Sequence, residues 1–239
     1  MNCKGCNKKV KLVKAHIIPE SFFRYLREDE NTLKLVPTDK DHYVKKAPIG
    51  IYDKEILCGE CEAVFQDVDE YAAKLMLNDQ NMSKLHDKGD VVGYNLKDID
   101  YQKLKLFVMS ILWRASISGA EFYKNVRLGP LEFKLKEMIW NRDTGGSHDD
   151  SFVLGKFEED GTLSKVILDP HPERWFGKRY YRFYLAGYVL YVKVDSQKTP
   201  DLWAKFIPES NDIYILSRGE VRESKEFAMM RDAVVLHKT

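Results

Sequence analysis

The chain is poor in several features that would define its class at once. No stretch approaches 18 consecutive apolar residues, so no membrane-spanning helix is expected. The start, Met1-Asn2-Cys3-Lys4-Gly5, has no apolar core of a secretory leader, and the expected location is the cytoplasm. There is no internal repeat and no low-complexity tract. Beyond residue 100 there is no phosphate-binding loop, no G-x-G-x-x-G and no G-x-S-x-G, which argues against a second enzymatic activity there. Charge of one sign is also lacking: 38 basic and 37 acidic residues leave a net charge of +1. Global charge therefore points to no polyanionic partner, and only local patches could meet phosphates.

What remains is an ordinary globular composition of 239 residues, 44% hydrophobic and 31% charged. That length suits one large domain or two small ones, and folding needs no covalent staple. The basic residues are unevenly placed. Residues 1–14 hold Lys4, Lys8, Lys9, Lys11 and Lys14 with no acid. A second patch, Arg174-Trp175-Phe176-Gly177-Lys178-Arg179-Tyr180-Tyr181-Arg182, interleaves cations with aromatic rings. Such a run suits stacking on unpaired bases, or a strand whose rings face a core. The nucleic-acid candidates are Lys8, Lys9, Lys11, Lys14, Arg174, Lys178 and Arg179.

Cysteine is scarce but ordered. The four form two pairs, Cys3-Lys4-Gly5-Cys6 and Cys58-Gly59-Glu60-Cys61, with none left over. Each C-x2-C turn aims two thiolates at one point, and two turns complete a tetrahedron around Zn²⁺. A redox pair or unrelated buried cysteines are the alternatives, but no βαβ pattern surrounds either turn. A site closed by Cys3, Cys6, Cys58 and Cys61 is structural, with no open position for chemistry.

The periodicity divides the chain. A short strand is expected at 10–13, a helix from Glu20 to Arg27, a strand at 55–57 and a helix over 59–77. Residues 28–50 and 78–99 read as polar connectors. Leu104, Phe107, Val108, Ile111, Leu112 and Ala115 recur at helical spacing, predicting a core helix over 101–118 capped by Asp100. Pro130 opens another helix. Segments 151–157, 163–168, 180–185, 187–194 and 212–216 read as strands of an antiparallel sheet. The expected fold class is α+β: a zinc module at 1–80, then a unit at 81–239 with helices at about 100–142 and a β-rich part at about 151–216.

Cys-x2-Cys, then Ala15-His16-Ile17-Ile18-Pro19, then Leu57-Cys58-x2-Cys61 entering a helix resembles the HNH endonuclease family in its zinc-containing treble-clef, or ββα-metal, form. The likeness covers Cys3 to about Phe65. The segments 57–71 and 107–118 also resemble uncharacterised bacterial proteins carrying such a module. The resemblance implies a structural zinc, a divalent cation such as Mg²⁺ or Mn²⁺, a DNA substrate, and His16 as the general base in phosphodiester hydrolysis. The chemistry is coherent, since hydrolysis needs a base titrating near neutrality and a cation for the developing charge. Such modules tend to occur in phage defence and mobile elements. Three positions depart from the family pattern. Ala15 stands where a metal ligand usually precedes the histidine. Asp53 stands at the family's asparagine, which braces the loop. Glu62 follows the last knuckle cysteine, where Asn or His binds metal. Asp53 and Glu62 keep oxygen ligands suited to hard cations, as does Asp67, whereas Ala15 removes a ligand outright. The catalytic set is His16, Asp53 and Glu62.

Two other readings stand beside it: a non-catalytic zinc module that binds nucleic acid, a protein partner or a second copy of itself, and a ligand-sensing role for the β-rich part. Arg114 on the core helix reads as structural, paired with a carboxylate inside the bundle. His42, His86, His148, His171 and His237 read as surface, loop, turn or tail residues.

Overall fold

The computed structural model describes residues 1–26, 34–35, 45–46, 50–78, 82–146, 148–158, 168–204, 206–207, 211–220 and 223–228. His42, His237 and residues 163–167 of the strand expected over 163–168 lie outside the described residues. The N-terminal part is built on very short elements. Strand β1 (Ala15–His16) is separated from its partner by α1 (Glu20–Tyr25) and a second small pair, β2 (Lys34–Leu35) with β3 (Lys45–Lys46). Strand β4 (Tyr52–Asp53) then returns antiparallel to β1, with Ala15 opposite Asp53 and His16 opposite Tyr52. The strand expected at 10–13 is reduced to one bridge, Leu12 to Cys58.

The helix expected over 59–77 is two helices, α2 (Gly59–Ala63) and α3 (Gln66–Met76). At the break Phe65 is buried, its ring 6.1 Å from Trp113 and 5.7 Å from Trp140. The tertiary site for that ring interrupts a pattern that reads as continuous. The segment read as a polar connector is a hairpin, β5 (Met82–Asp87) and β6 (Asp90–Leu96). Its outer strand faces solvent on most positions, so it carries a charged, edge-strand composition with little apolar alternation.

Helix α4 (Tyr101–Ile117) begins at Asp100, whose carboxylate accepts the Lys103 N–H at 3.0 Å. Residues 104–116 are buried throughout. The expected stripe is present, but the helix is enclosed on every side, as an all-round apolar helix must be. Helix α5 (Pro130–Trp140) follows, with proline in its first turn.

The C-terminal strands are β7 (Phe152–Glu158), β8 (His171–Trp175), β9 (Lys178–Leu185), β10 (Tyr188–Lys193) and, after the short helix α6 (Asp201–Ala204), β11 (Ile213–Glu220). They join the hairpin in one seven-stranded sheet of order β5-β6-β11-β7-β10-β9-β8. The sheet is antiparallel-rich, with one correction to the expectation: β11 runs parallel to β7. His171, read as a turn residue, lies on β8. Three hairpins turn on two residues of positive φ, Lys88-Gly89, Phe176-Gly177 and Ala186-Gly187. Such turns match the strand twist, and glycine takes the second position where a side chain is strained.

One face of the sheet packs on α4 in a buried apolar cluster that runs from Cys3 to Ile215. The other face holds a smaller cluster of Phe157, Tyr180, Tyr184, Val189 and Tyr191, with Trp175 and Phe227 against it. Among the described residues no helix is long and apolar enough to cross a membrane. Phe107 is fully buried, its ring stacked 5.9 Å from Phe22 of the N-terminal part. Phe107→Ala is expected to cost about 3–5 kcal/mol, read as a lower midpoint in urea unfolding.

Candidate metal centre and the adjoining cavity

The two cysteine turns meet although 52 residues separate Cys6 from Cys58. Backbone bonds bring them together: Lys4 N–H donates to the Ile56 carbonyl at 2.7 Å and Val13 N–H to Leu57 at 2.9 Å. The first turn closes with Asn7 N–H on the Cys3 carbonyl at 2.8 Å, and Asn7 takes a φ of 58°. That left-handed conformation suits asparagine better than most side chains. The second turn opens α2, with Cys58 at its N-cap and Cys61 in its first turn.

The four sulfurs all lie within 4.8 Å of one another. Tetrahedral bonds of about 2.3 Å would separate sulfurs by about 3.8 Å, so small adjustments suffice to enclose an ion such as zinc. Cys3, Cys58 and Cys61 are buried and Cys6 is half-buried. Burial pushes the Cys3 thiol up, but backbone N–H groups of Cys6, Cys58 and Gly5 outweigh it and hold the thiol at about 6. Cys61 goes the other way, pushed up by burial and then by the neighbouring Cys58 and Cys3 thiols. The backbone thus stabilises a thiolate at Cys3, while burial and the neighbouring sulfurs oppose one at Cys61. The cradle is also tight. A Cβ at Gly5 would lie 2.6 Å from Cys61 Sγ and 3.0 Å from the Trp140 ring.

Beside this centre, Pro19, Glu20, Ser21 and α2–α3 line an open cavity of about 450 Å³ with His16, Glu62, Asp69 and Glu70 on its wall. The His16 backbone is held at both ends. Its N–H donates to Glu62 Oε1 at 3.2 Å, and its carbonyl accepts from Arg114 Nη1 at 2.8 Å. Arg114 is fully buried and makes a bidentate pair with Asp69 at 2.7 and 2.9 Å. Its remaining donors reach the Ser110 carbonyl and hydroxyl, and its guanidinium lies 4.6 Å from the Phe65 ring centroid.

The candidate catalytic residues thus separate. His16 and Glu62 share the cavity. Glu62 Oε2 is buried with no hydrogen-bond partner. Burial pushes the Glu62 carboxyl above the usual range, against the pull of Arg114 and the His16 N–H. Asp53 does not line the cavity. Its carboxylate accepts from Ser118 Oγ at 2.9 Å, Gly119 N–H at 2.8 Å and Glu55 N–H at 2.8 Å, tying β4 to the end of α4. Asp67 pairs with Arg142 instead. Ala15 is buried and offers no ligand. Asp69 lies on the cavity wall and holds Arg114; an aspartate in a polar helix turn gave no sequence signal for it.

Lys4, Lys8, Lys9, Lys11 and Lys14 are all exposed. In the second basic patch Arg174 and Arg179 are exposed, Lys178 bonds Gln197, and Arg179 Nη2 donates to the Val194 carbonyl. Its rings are mostly taken up internally. Trp175 stacks 4.5 Å from Trp203 and Tyr180 is buried, while Phe176 at the turn is exposed. No protein-family model matches the chain, and no curated protein or solved structure does so either.

Cys58→Ser is expected to lose the bound metal and the folded state together, measured as metal per chain by mass spectrometry alongside the melting curve; stable folding without metal would refute the role. Glu62 gives a pH test. Its folded value lies above the unfolded 4.5, so the folded chain holds this proton more tightly and its share of stability falls as pH rises through the carboxylate range. Glu62→Gln still accepts the His16 N–H and removes that cost. The variant is expected to melt a few degrees higher than the parent at neutral pH without added divalent cation, with the gap closing below about pH 4.5.

Proposed function

We propose that the chain is an HNH-type, metal-dependent endonuclease acting on DNA. A treble-clef module holds a structural zinc at Cys3, Cys6, Cys58 and Cys61, and His16 acts as general base in phosphodiester hydrolysis. The observation that carries this reading is the orphaned, buried Glu62 Oε2 on the same cavity wall as His16. An unpaired carboxylate oxygen, destabilised by burial, is an oxygen donor suited to Mg²⁺ or Mn²⁺. A divalent cation bound there would offset charge on the phosphate and the departing oxygen. His16 accepts the proton of the attacking water as the P–O bond to the leaving strand breaks. Glu62 and Arg114 fix the His16 backbone, so the ring is carried on a clamped strand. Asp53 braces the loop through Ser118 and Gly119. The exposed N-terminal lysines hold the substrate phosphates.

A second reading rests on Ala15. With no ligand at that position and Asp53 engaged elsewhere, Glu62 Oε2 is the only buried carboxylate oxygen of the cavity wall, among the described residues, without a hydrogen-bond partner. A zinc module that binds nucleic acid or a protein without cutting is the alternative this favours.

DNA cleavage, on both plasmid and circular single-stranded substrates, separates the two. The zinc-loaded chain is expected to cut at least one of them when Mg²⁺ or Mn²⁺ is added, and His16→Ala should lower the rate at least ~100-fold while keeping zinc and fold. Equal cleavage by His16→Ala would remove it as the base, and no cleavage with either cation would favour the binding module.

A further inference from the structure

His16 also meets a ring that does not line the cavity. Tyr52 pairs directly across the β1–β4 ladder from His16, and the two rings meet edge-on with centroids 5.8 Å apart. Tyr52 is half-buried, so part of its ring reaches solvent. Two exposed lysines converge on it, with Lys14 Nζ 5.2 Å and Lys54 Nζ 5.7 Å from the ring centroid. Lys14 directly precedes β1 and Lys54 directly follows β4. The two-stranded ladder therefore presents one aromatic ring between two cations, with His16 alongside.

From this juxtaposition we infer that Tyr52, Lys14 and Lys54 form a platform for one unpaired nucleotide, which makes single-stranded nucleic acid the substrate class of the His16 site. The inference rests on the hydrolytic reading of that site and deepens it. An aromatic face flanked by cations is how unpaired bases and their phosphates are held together: the base stacks, and the ammonium groups meet the phosphates on either side. A base locked in a duplex cannot offer its face to a ring seated in a protein surface. The site is bipolar in consequence. Glu62, Asp69 and Glu70 line the cavity that His16 shares, and the Tyr52 ring with its two cations lies outside that lining. A strand stacked on Tyr52 would deliver its neighbouring phosphate to His16.

The test is binding by fluorescence anisotropy, using the full zinc-loaded chain without added Mg²⁺ or Mn²⁺. The probes are a short labelled single-stranded oligonucleotide and the same sequence as a duplex. The single strand is expected to bind more tightly. Tyr52→Ala should weaken it by about 5- to 100-fold, the range of one base–ring stack, while Tyr52→Phe, which keeps the ring, binds as the parent does. Replacing Lys14 and Lys54 together by alanine should flatten the slope of log K against log salt by about 1.4. If Tyr52→Ala does not fold, Tyr52→Leu keeps the apolar bulk without the π face and takes its place. The proposal is overturned if Tyr52→Ala (or Tyr52→Leu) binds like the parent, if the duplex binds as tightly as the single strand, or if neither probe binds. A chain that binds through Tyr52 but never cleaves keeps the platform and loses the nuclease; cleavage indifferent to Tyr52 does the reverse.

Discussion

Four thiols gathered within 4.8 Å cannot all carry charge unless a cation sits among them. Around that constraint the N-terminal part is organised. The backbone stabilises one thiolate, Cys3, and burial and neighbouring sulfurs resist ionisation of Cys61. An ion bound there would resolve the conflict and join two turns that are far apart in sequence. Among the described residues between them, the regular elements are two-residue strands and a six-residue helix. Binding free energy at such a site is folding free energy. A metal bound there would therefore help to set the position of His16 without touching it.

The second clamp is electrostatic and comes from the core. Arg114 lies 98 residues from His16 and is fully buried, yet all five of its N–H donors are used. It joins β1, α3 and α4 through the His16 carbonyl, Asp69 and Ser110. A buried guanidinium is costly unless every donor is met, and removal of Asp69 would leave an uncompensated charge. Pairing of this kind is weak evidence for stability but strong evidence for a fixed arrangement. The same cavity wall carries a buried carboxylate oxygen, Glu62 Oε2, with no hydrogen-bond partner. It is the oxygen that the proposed divalent cation would meet.

What was legible in the sequence was local. The cysteine spacing locates the metal cluster because each C-x2-C turn is a short-range geometry. The 3.6-residue period of Leu104 to Ala115 and the aspartate before it fix α4 to within a residue, and Pro130 marks the start of α5. The pairing of Arg114 with a carboxylate was also readable, from a cation inside an apolar helix. What was not legible depends on contacts distant in sequence. Asp53 has the chemistry of a metal ligand, and its engagement with Ser118, 65 residues away, leaves no local trace. Tyr52 and Lys54 lie in a stretch with no periodicity, and only the β1–β4 register brings them to His16. The β5–β6 hairpin was hidden because an edge strand facing water carries polar residues. The parallel placement of β11 against β7 is a matter of topology that strand composition does not encode.

The central claim is that one metal ion, held by sulfur alone, assembles the surface on which His16 is presented. X-ray absorption at the zinc edge of the purified, reduced chain tests it most directly. The account predicts one zinc per chain with four sulfur ligands at about 2.3 Å and no nitrogen or oxygen in the first coordination sphere. A folded chain without zinc, or a zinc coordinated by histidine or carboxylate in place of one of the four cysteines, would contradict it.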